Sequence, residues 1–258
     1  MSVRTSTCTV GADYMPRRTV ASSFSQRSSS SQRYLQGNVY APRIPHLSTP
    51  HVSTPHISTQ SLFKRAVDIA GSLVGLTILG ILFLPIAIAI RLDSPGPIFY
   101  SQLRFGLQGK PFRIWKFRSM VSNADALRAS VVSAAKCPLM FKQVNDPRIT
   151  RVGRFLRKTS LDEFPQFWNV LKGEMSLVGT RPPIEEEVAK YSDRHWRRLD
   201  VRPGLTGQWQ VSGRSKIDDF ERVVTLDLYY QRRWSRRYDL IILVRTVGRV
   251  FSKDSGAF

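Results

Sequence analysis

Acidic residues, cysteine and histidine are all scarce in this chain of 258 residues. Only 19 Asp and Glu oppose 39 Lys and Arg, so the formal net charge at pH 7 is +20. A chain this basic favours an anionic partner, such as an acidic membrane surface, a nucleic acid or a phosphorylated small molecule. The two cysteines, Cys8 and Cys137, are too few for a disulfide framework or a cysteine-based zinc site, which suits a reducing compartment.

Residues 1–61 are rich in Ser, Thr, Arg and Pro, a composition that predicts a disordered tail. A five-residue repeat of His, an apolar residue, Ser and Thr runs through its end, where Pro50 and Pro55 exclude a helix. We do not expect a secretory signal, because the only long apolar run begins near Ile69, far from the first residue.

Residues 69–90 carry no charged side chain and are long enough to span the hydrocarbon core of a bilayer. Pro85 lies inside this run, where it removes a backbone hydrogen bond and is expected to break or kink a helix. Basic residues flank both ends, beginning with Lys64 before and Arg91 after, and each flank favours the cytoplasmic side. Segment 62–92 is therefore a re-entrant membrane helix, a single-pass helix or a buried core helix, and the residues leave the three open.

Two adjacent carboxylates, Asp162 and Glu163, lie in a strongly basic stretch. Arginine binds phosphate through planar bidentate donors, and a carboxylate can attack phosphorus, accept a proton or hold a divalent metal. The same residues also suit a helix start, with Ser160 and Glu163 as a capping box. Pro165 weakens that alternative, because proline prefers the first position of a helix to a position past its first turn. The basic neighbours are Arg151, Arg154, Arg157, Lys158 and Arg181.

Segment 201–214 is rich in glycine and contains Arg202, Trp209 and Arg214. This composition suits a loop whose backbone and aromatic ring close around a ligand, and it suits a structural turn equally well. Residues 238–251 are predicted to form an apolar helix that is too short and too charged to span a bilayer. Such a helix can lie in the membrane interface, with its arginines extending to the headgroups.

Several motifs occur in a fixed order along residues 62–258, and each of them alone is a weak signal. They are Lys64-Arg65-x-x-Asp68 before the apolar run with Pro85, Lys116-Phe-Arg-Ser-Met120, Thr159-Ser-Leu-Asp-Glu163 with Pro165-Gln166, Gly173-Glu-Met-Ser-Leu-Val-Gly179 with Arg181-Pro182, Arg202-Pro-Gly-x-Thr-Gly207, Ser212-Gly-Arg214 and Leu226-Asp227-x-Tyr-Tyr230. Taken together, these motifs are specific. In them the chain resembles the bacterial sugar transferase family, the monotopic phosphoglycosyl transferases that start glycan assembly on a polyprenol-phosphate carrier.

The resemblance implies a small mixed α/β domain of α+β character, with short strands, amphipathic interfacial helices and a re-entrant membrane helix kinked at Pro85. Residues 93–258 would form the catalytic domain on the cytoplasmic face of the bacterial inner membrane. The implied reaction transfers a sugar-1-phosphate from a UDP-sugar to polyprenol (undecaprenyl) phosphate with Mg²⁺ and releases UMP, as the initiating step of exopolysaccharide assembly. Membrane lipids are implied partners, nucleic acid is not, and homo-oligomerisation stays open.

The resemblance also implies roles for individual residues. Asp162 would be the nucleophile that forms a covalent phosphosugar intermediate and would bind Mg²⁺, and Glu163 would help to organise the metal or handle a proton. Thr180 departs from the family pattern, which usually has Pro there, and this puts the details of that turn in question. The residues expected to bind phosphate or nucleotide are Arg157, Arg181, Pro182, Arg202, Arg214 and Asp227.

The main alternative is a non-catalytic basic protein that binds a membrane surface or serves as a scaffold. The net charge allows it, but charge alone does not account for the Asp162-Glu163 pair. The identity of the sugar does not follow from the sequence.

Overall fold

The computed structural model describes residues 53–127, 146–213, 217 and 219–251, with side chains to residue 249. Within them the helices are α1 (Leu62–Asp93), α2 (Arg151–Lys158), α3 (Gln166–Lys172), α4 (Glu185–Val188), α5 (Asp193–Trp196), α6 (Gln208–Val211), α7 (Phe220–Arg233) and α8 (Arg236–Phe251). The strands are β1 (Phe99–Phe105), β2 (Pro111–Phe117), β3 (Ser176–Val178) and β4 (Gly204–Thr206). Short 3₁₀ helices cover Ile57–Gln60, Leu107–Gly109, Leu161–Glu163 and Arg197–Asp200.

The strands form two small sheets, which confirms the predicted mixed domain with short strands. β1 and β2 make an antiparallel hairpin in which Phe99 pairs with Phe117. β3 and β4 pair in parallel, with Ser176 opposite Gly204. Because side chains alternate across a strand, one face of the hairpin carries Tyr100, Gln102, Arg104 and Lys116.

Two apolar clusters hold these elements together. The larger one joins the hairpin, α3, β3, α7 and α8 through fully buried side chains such as Val170, Met175 and Ile242. The smaller one joins α1, β2 and α2 through Ile90, Phe117 and Leu156. The face of the hairpin that carries Phe117 packs towards α1. The other face carries Phe112 and Ile114, which pack into the larger cluster, and beside them the polar side chains of Gln102, Arg104 and Lys116 can line a site.

Helix α1 is attached to the domain at its N-terminal end by buried polar contacts. The Lys64 ammonium donates to Asp239 of α8 at 2.9 Å and to the Val178 carbonyl at 2.8 Å. Arg65 donates to two carbonyls at the end of α3, those of Val170 and Leu171. These bonds replace the water that both cations lose on burial.

The C-terminal end of α1 is attached to the same domain. Asp93 accepts a bond from the Val152 amide in the first turn of α2 at 2.9 Å, and Arg118 donates to the carbonyls of Ser94 and Pro95. Pro85 lies inside one continuous helix of 32 residues, so α1 does not end there. The kink and the re-entrant path stay predictions.

The outer face of α1 has no protein partner among the described residues. Leu73, Val74, Ile81 and Leu84 are all more than half exposed. Within the part of the chain that the structure describes, α1 is the helix long and apolar enough to cross a membrane. A buried core helix would be covered on all sides, so this third alternative from the sequence is wrong. The predicted helix near the C-terminus is confirmed as α8, whose outer face is also apolar, with Leu240, Ile241, Val244 and Val247 exposed.

Residues 53–61, the last part of the predicted tail, are ordered on the domain. The His56 amide donates to the Asp200 carbonyl at 2.8 Å, and its ring packs edge-on against Trp234. The following residues form the 3₁₀ helix Ile57–Gln60. The predicted end of the disordered tail at residue 61 is therefore too late. Composition could not reveal this, because the partners of the segment come from far along the chain. The rest of that tail lies outside the described residues.

Candidate active site

Asp162 and Glu163 lie in a 3₁₀ turn between α2 and α3. Ser160 has a left-handed backbone (φ +57°), and its side chain makes no capping hydrogen bond. The capping-box alternative is therefore wrong, and the helix starts directly after Pro165 instead, at Gln166. The tight turn buries Asp162 to 7% exposure while Glu163 stays partly exposed.

Basic side chains from two other elements flank this carboxylate pair. Lys116 of β2 donates to Glu163 Oε1 at 2.8 Å, and both side chains are about a quarter exposed. Arg157 of α2 is held by a bond from its Nε to Ser119 Oγ at 2.9 Å. Burial lowers the pKa of the Arg157 guanidinium, and the negative charge of Asp162 opposes that change. The two carboxylates therefore lie beside two cations in a partly desolvated place.

Arg181 extends from the turn that follows β3. Its Nη1 donates to both carboxylate oxygens of Glu187, at 3.0 and 3.2 Å, and Glu187 raises the pKa of Arg181. Thr180, where the family usually has Pro, is buried and donates to the Arg198 carbonyl at 3.0 Å. The turn is therefore fixed by hydrogen bonds despite the departure from the family pattern.

Arg104 is a residue of this site that sequence reasoning missed. Its Nη1 donates to the Pro182 carbonyl at 3.0 Å and its Nη2 to Gln102 Oε1 at 2.7 Å. Burial lowers the pKa of Arg104 to about 10, and the charge of neighbouring Arg181 contributes to this. The alternation of polar residues along β1 was the available signal, since it places Gln102 and Arg104 on the face that carries Lys116.

The other predicted binding residues have different surroundings. Arg202 donates to the Thr59 carbonyl at 3.0 Å and so holds the ordered N-terminal segment. Asp227 is fully buried and accepts a bond from Arg198 Nε at 2.8 Å. Burial raises the pKa of Asp227, and Arg198 followed by Arg181 opposes that rise. Arg214 lies outside the described residues. The structure thus brings Arg157, Asp162 and Glu163 together. Arg104 lies between this group and Arg181, because it interacts electrostatically with both Glu163 and Arg181 and donates to the Pro182 carbonyl. Asp227 interacts electrostatically with Arg181.

The glycine-rich segment serves a structural purpose in the described residues. Trp209 is buried and packs with Ile217 and Val223. A Cβ at Gly204 would lie 2.1 Å from the backbone nitrogen of Gly179, so the close approach of the two strands requires glycine there. This favours the structural turn over a loop that closes its aromatic ring around a ligand.

The Asp162-Glu163 pair, called the dyad below, also offers the carboxylate oxygens that a magnesium site uses. Among the described residues, no group of three or more His, Cys, Asp and Glu side chains could hold a metal by itself. Mg²⁺ is commonly bound by one or two carboxylates together with substrate phosphates. Asp162 and Glu163 supply two adjacent carboxylates, so the residues present suit a metal that arrives with a phosphorylated substrate.

Comparison with known proteins gives relatives of this chain. Galactosyl transferase CpsE of Streptococcus agalactiae serotype III is 49% identical over 185 residues, which cover 71% of this chain and 41% of that protein. Undecaprenyl-phosphate galactose phosphotransferase of Salmonella typhimurium is 43% identical over 200 residues, covering 76% of this chain and 41% of that protein. Exopolysaccharide production protein ExoY of Rhizobium meliloti is 38% identical over 192 residues, or 72% of this chain and 84% of that protein. The chain thus spans about two fifths of the length of the first two relatives.

The family model described as bacterial sugar transferase matches residues 59–253. The match includes α1, the hairpin, the Asp162-Glu163 turn and α8, which are the elements that build and support the site. The chain therefore belongs to the bacterial sugar transferase family.

Proposed function

We propose that this protein transfers a sugar-1-phosphate from a UDP-sugar to polyprenol phosphate. The observation that carries the proposal is the Asp162-Glu163 pair, flanked by Lys116 and Arg157 beside a helix with an exposed apolar face. Such a place suits a reaction between a lipid phosphate and a soluble diphosphate, because the cations offset the repulsion between the anions. The name of the Salmonella typhimurium relative supports a hexose, with galactose as the first candidate.

Asp162 is the nucleophile in this proposal. One carboxylate oxygen of Asp162 attacks the sugar-bearing phosphorus, and the bond from that phosphorus to the bridging oxygen breaks with its electron pair on UMP. A phosphate oxygen of polyprenol phosphate then attacks the same phosphorus and releases the Asp162 carboxylate. The nearby Arg157 guanidinium interacts electrostatically with Asp162, and it would offset part of the repulsion between this carboxylate and the diphosphate that it attacks.

Glu163 and Lys116 would fix the second carboxylate of the site. The 2.8 Å ion pair holds Glu163 in one orientation beside Asp162, where it can orient a metal-bound substrate or accept a proton. Asp162 and Glu163, together with the substrate phosphates, would hold Mg²⁺, which would offset the negative charge of those phosphates.

The proposed location is the cytoplasmic face of the bacterial inner membrane, with a monotopic attachment. In support, Lys64 near one end of α1 and Asp93 at its other end both bond to the same folded domain. A spanning helix would place its two ends on opposite sides of the hydrocarbon core, where one folded domain could not bond to both of them. Basic residues at both flanks favour the cytoplasmic side.

The central test is Asp162→Asn in the purified full chain. We expect the loss of UMP release from the accepted UDP-sugar, at least about 1,000-fold, since an amide cannot act as the nucleophile. The variant should still fractionate with membranes and melt at the same temperature. Glu185→Gln, an exposed carboxylate at the start of α4, serves as the matched control and should keep full activity.

UMP release by Asp162→Asn at the wild-type rate would remove the nucleophile assignment. A wild-type protein that releases no UMP from any UDP-hexose in the presence of polyprenol phosphate and Mg²⁺ would reject the proposed reaction itself.

A further inference from the structure

Two arginines lie next to each other at the end of the hairpin opposite Glu163. Arg104 of β1 donates to the carbonyl of Pro182, the residue that follows Arg181, so its guanidinium lies against the turn that carries Arg181. Their charges are close enough that Arg181 lowers the pKa of Arg104, together with the larger effect of burial. Keeping two guanidinium groups together in a partly desolvated place costs free energy unless an anion joins them.

The neighbouring carboxylates leave this positive charge incompletely balanced. Glu187 forms its ion pair with Arg181, and Glu163 forms its pair with Lys116. The hydrogen bonds of Arg104 within the described residues go to a carbonyl and to the side-chain amide of Gln102, which are both uncharged. Its Nε is buried and has no hydrogen-bond partner among the described residues. An anion bound beside Arg104 would balance this charge and could accept a bond from its Nε.

The position of the two arginines relative to α1 indicates which phosphate they bind. Arg157 belongs to α2, which packs against the membrane-facing helix through Leu156 and Ile90. The contacts of Arg104 and Arg181 are instead with β1, the turn after β3 and α4. With the apolar face of α1 in the bilayer, as proposed above, Arg157 is the arginine on the side of a lipid phosphate, and the hairpin end is the side open to a soluble diphosphate.

We infer that Arg104 is a phosphate-binding residue of this protein and that, with Arg181, it forms the site for the diphosphate of the nucleotide-sugar. The inference rests on the proposed function, because it assigns one of that reaction's two phosphate substrates to this pair. Each guanidinium offers parallel donors that match phosphate oxygens, and the pair suits two linked phosphates better than one.

The test is UDP binding to the purified full chain in nanodiscs with Mg²⁺, measured by calorimetry, together with KM values for UDP-sugar and polyprenol phosphate. Arg104→Met should weaken UDP binding at least about tenfold and raise the KM for UDP-sugar, with less than about a twofold change in the KM for polyprenol phosphate. Arg113→Met is the matched control, because Arg113 is exposed on the other face of the same hairpin, and its UDP affinity should equal that of the wild type. Arg104→Lys keeps the positive charge but loses the parallel donors of the guanidinium, so its UDP affinity should lie between those of Arg104→Met and the wild type.

Unchanged UDP affinity in Arg104→Met would overturn the inference. A higher KM for polyprenol phosphate alone would assign Arg104 to the lipid phosphate and also overturn it. An equal rise in the KM values for both substrates, together with a lower melting temperature, would show that Arg104 has a structural role and would overturn the inference. Should Arg104→Met fail to fold, Arg104→Lys decides, and wild-type affinity in that variant counts against the inference. UDP binding needs no turnover, so it stays informative even where the proposed reaction is not observed.

Discussion

At the scale of the residue, the orientation of the Glu163 side chain depends on its ion pair with Lys116, which precedes it by 47 positions. The Lys116-Glu163 pair is partly exposed, so it contributes little to folding, roughly 0–1 kcal/mol. Its larger effect concerns the site, because the ammonium orients Glu163 and offsets negative charge beside Asp162. The linear sequence contains both residues but not their pairing.

Lys116→Met is expected to lower kcat/KM for UMP release by roughly tenfold or more, because Glu163 loses its orientation and its counter-charge. The melting temperature should stay close to the wild-type value, since the pair is partly exposed. Lys116→Arg should recover most of the activity, and Lys110→Met in the exposed hairpin connection is the control. Full activity in Lys116→Met would mean that the ion pair has no part in the reaction.

At the scale of the element, α1 is joined to α8 by a buried polar cluster rather than by apolar packing alone. Lys64 and Asp239 are each only 8% exposed in their side chains, and Asp239 also accepts bonds from Tyr230 and Trp234. A buried ion pair contributes little net stability, but the loss of one partner leaves a desolvated charge. The cluster therefore determines where α1 meets the domain.

Lys64→Met is expected to destabilise the protein by about 3–5 kcal/mol, because it leaves the Asp239 carboxylate buried without its cation. The measurement is thermal or denaturant unfolding of the full chain in detergent. The double variant Lys64→Met/Asp239→Leu should recover part of the loss, since it removes both charges together. Additive losses in the double variant would show that the two side chains are not coupled.

At the scale of the whole molecule, exposed apolar side chains are concentrated on the outer faces of α1 and α8. Exposed apolar surface of this extent marks a site that interacts with a membrane or with another protein. The net charge of +20 adds attraction to anionic headgroups. Both features are consistent with the proposed monotopic attachment through one side of the domain.

Membrane topology is tested with single cysteines placed at residues 60 and 105, on either side of α1, in a variant without Cys8 and Cys137. Residue 60 should react once the inner membrane is made permeable, and residue 105 only once the domain is also denatured, because both positions are expected in the cytoplasm. The residue 105 position is buried in the domain and needs a denaturing step. Labelling of residue 60 from outside in intact spheroplasts would establish a spanning helix and reject the monotopic attachment.

The sequence by itself determined the class of fold, the family and the long apolar helix, because these depend on local composition and on motifs that are contiguous in the chain. The uncharged run of residues 69–90 predicts α1 without any tertiary knowledge. Pro165 already disfavoured a helix that starts at Ser160, because proline past the first turn of a helix removes a hydrogen bond and clashes with the carbonyl four residues back.

Only the tertiary structure decided which side chains share the site. Arg104 and Lys116 come from a hairpin far from the dyad in sequence, and strand pairing brings them to one face. Folding also gave Arg202 and Trp209 structural contacts that their motif did not indicate, one on the ordered N-terminal segment and the other in the core. The reason is physical: a motif fixes the order of residues along the chain, whereas charge and hydrogen-bond partners depend on which elements pack together.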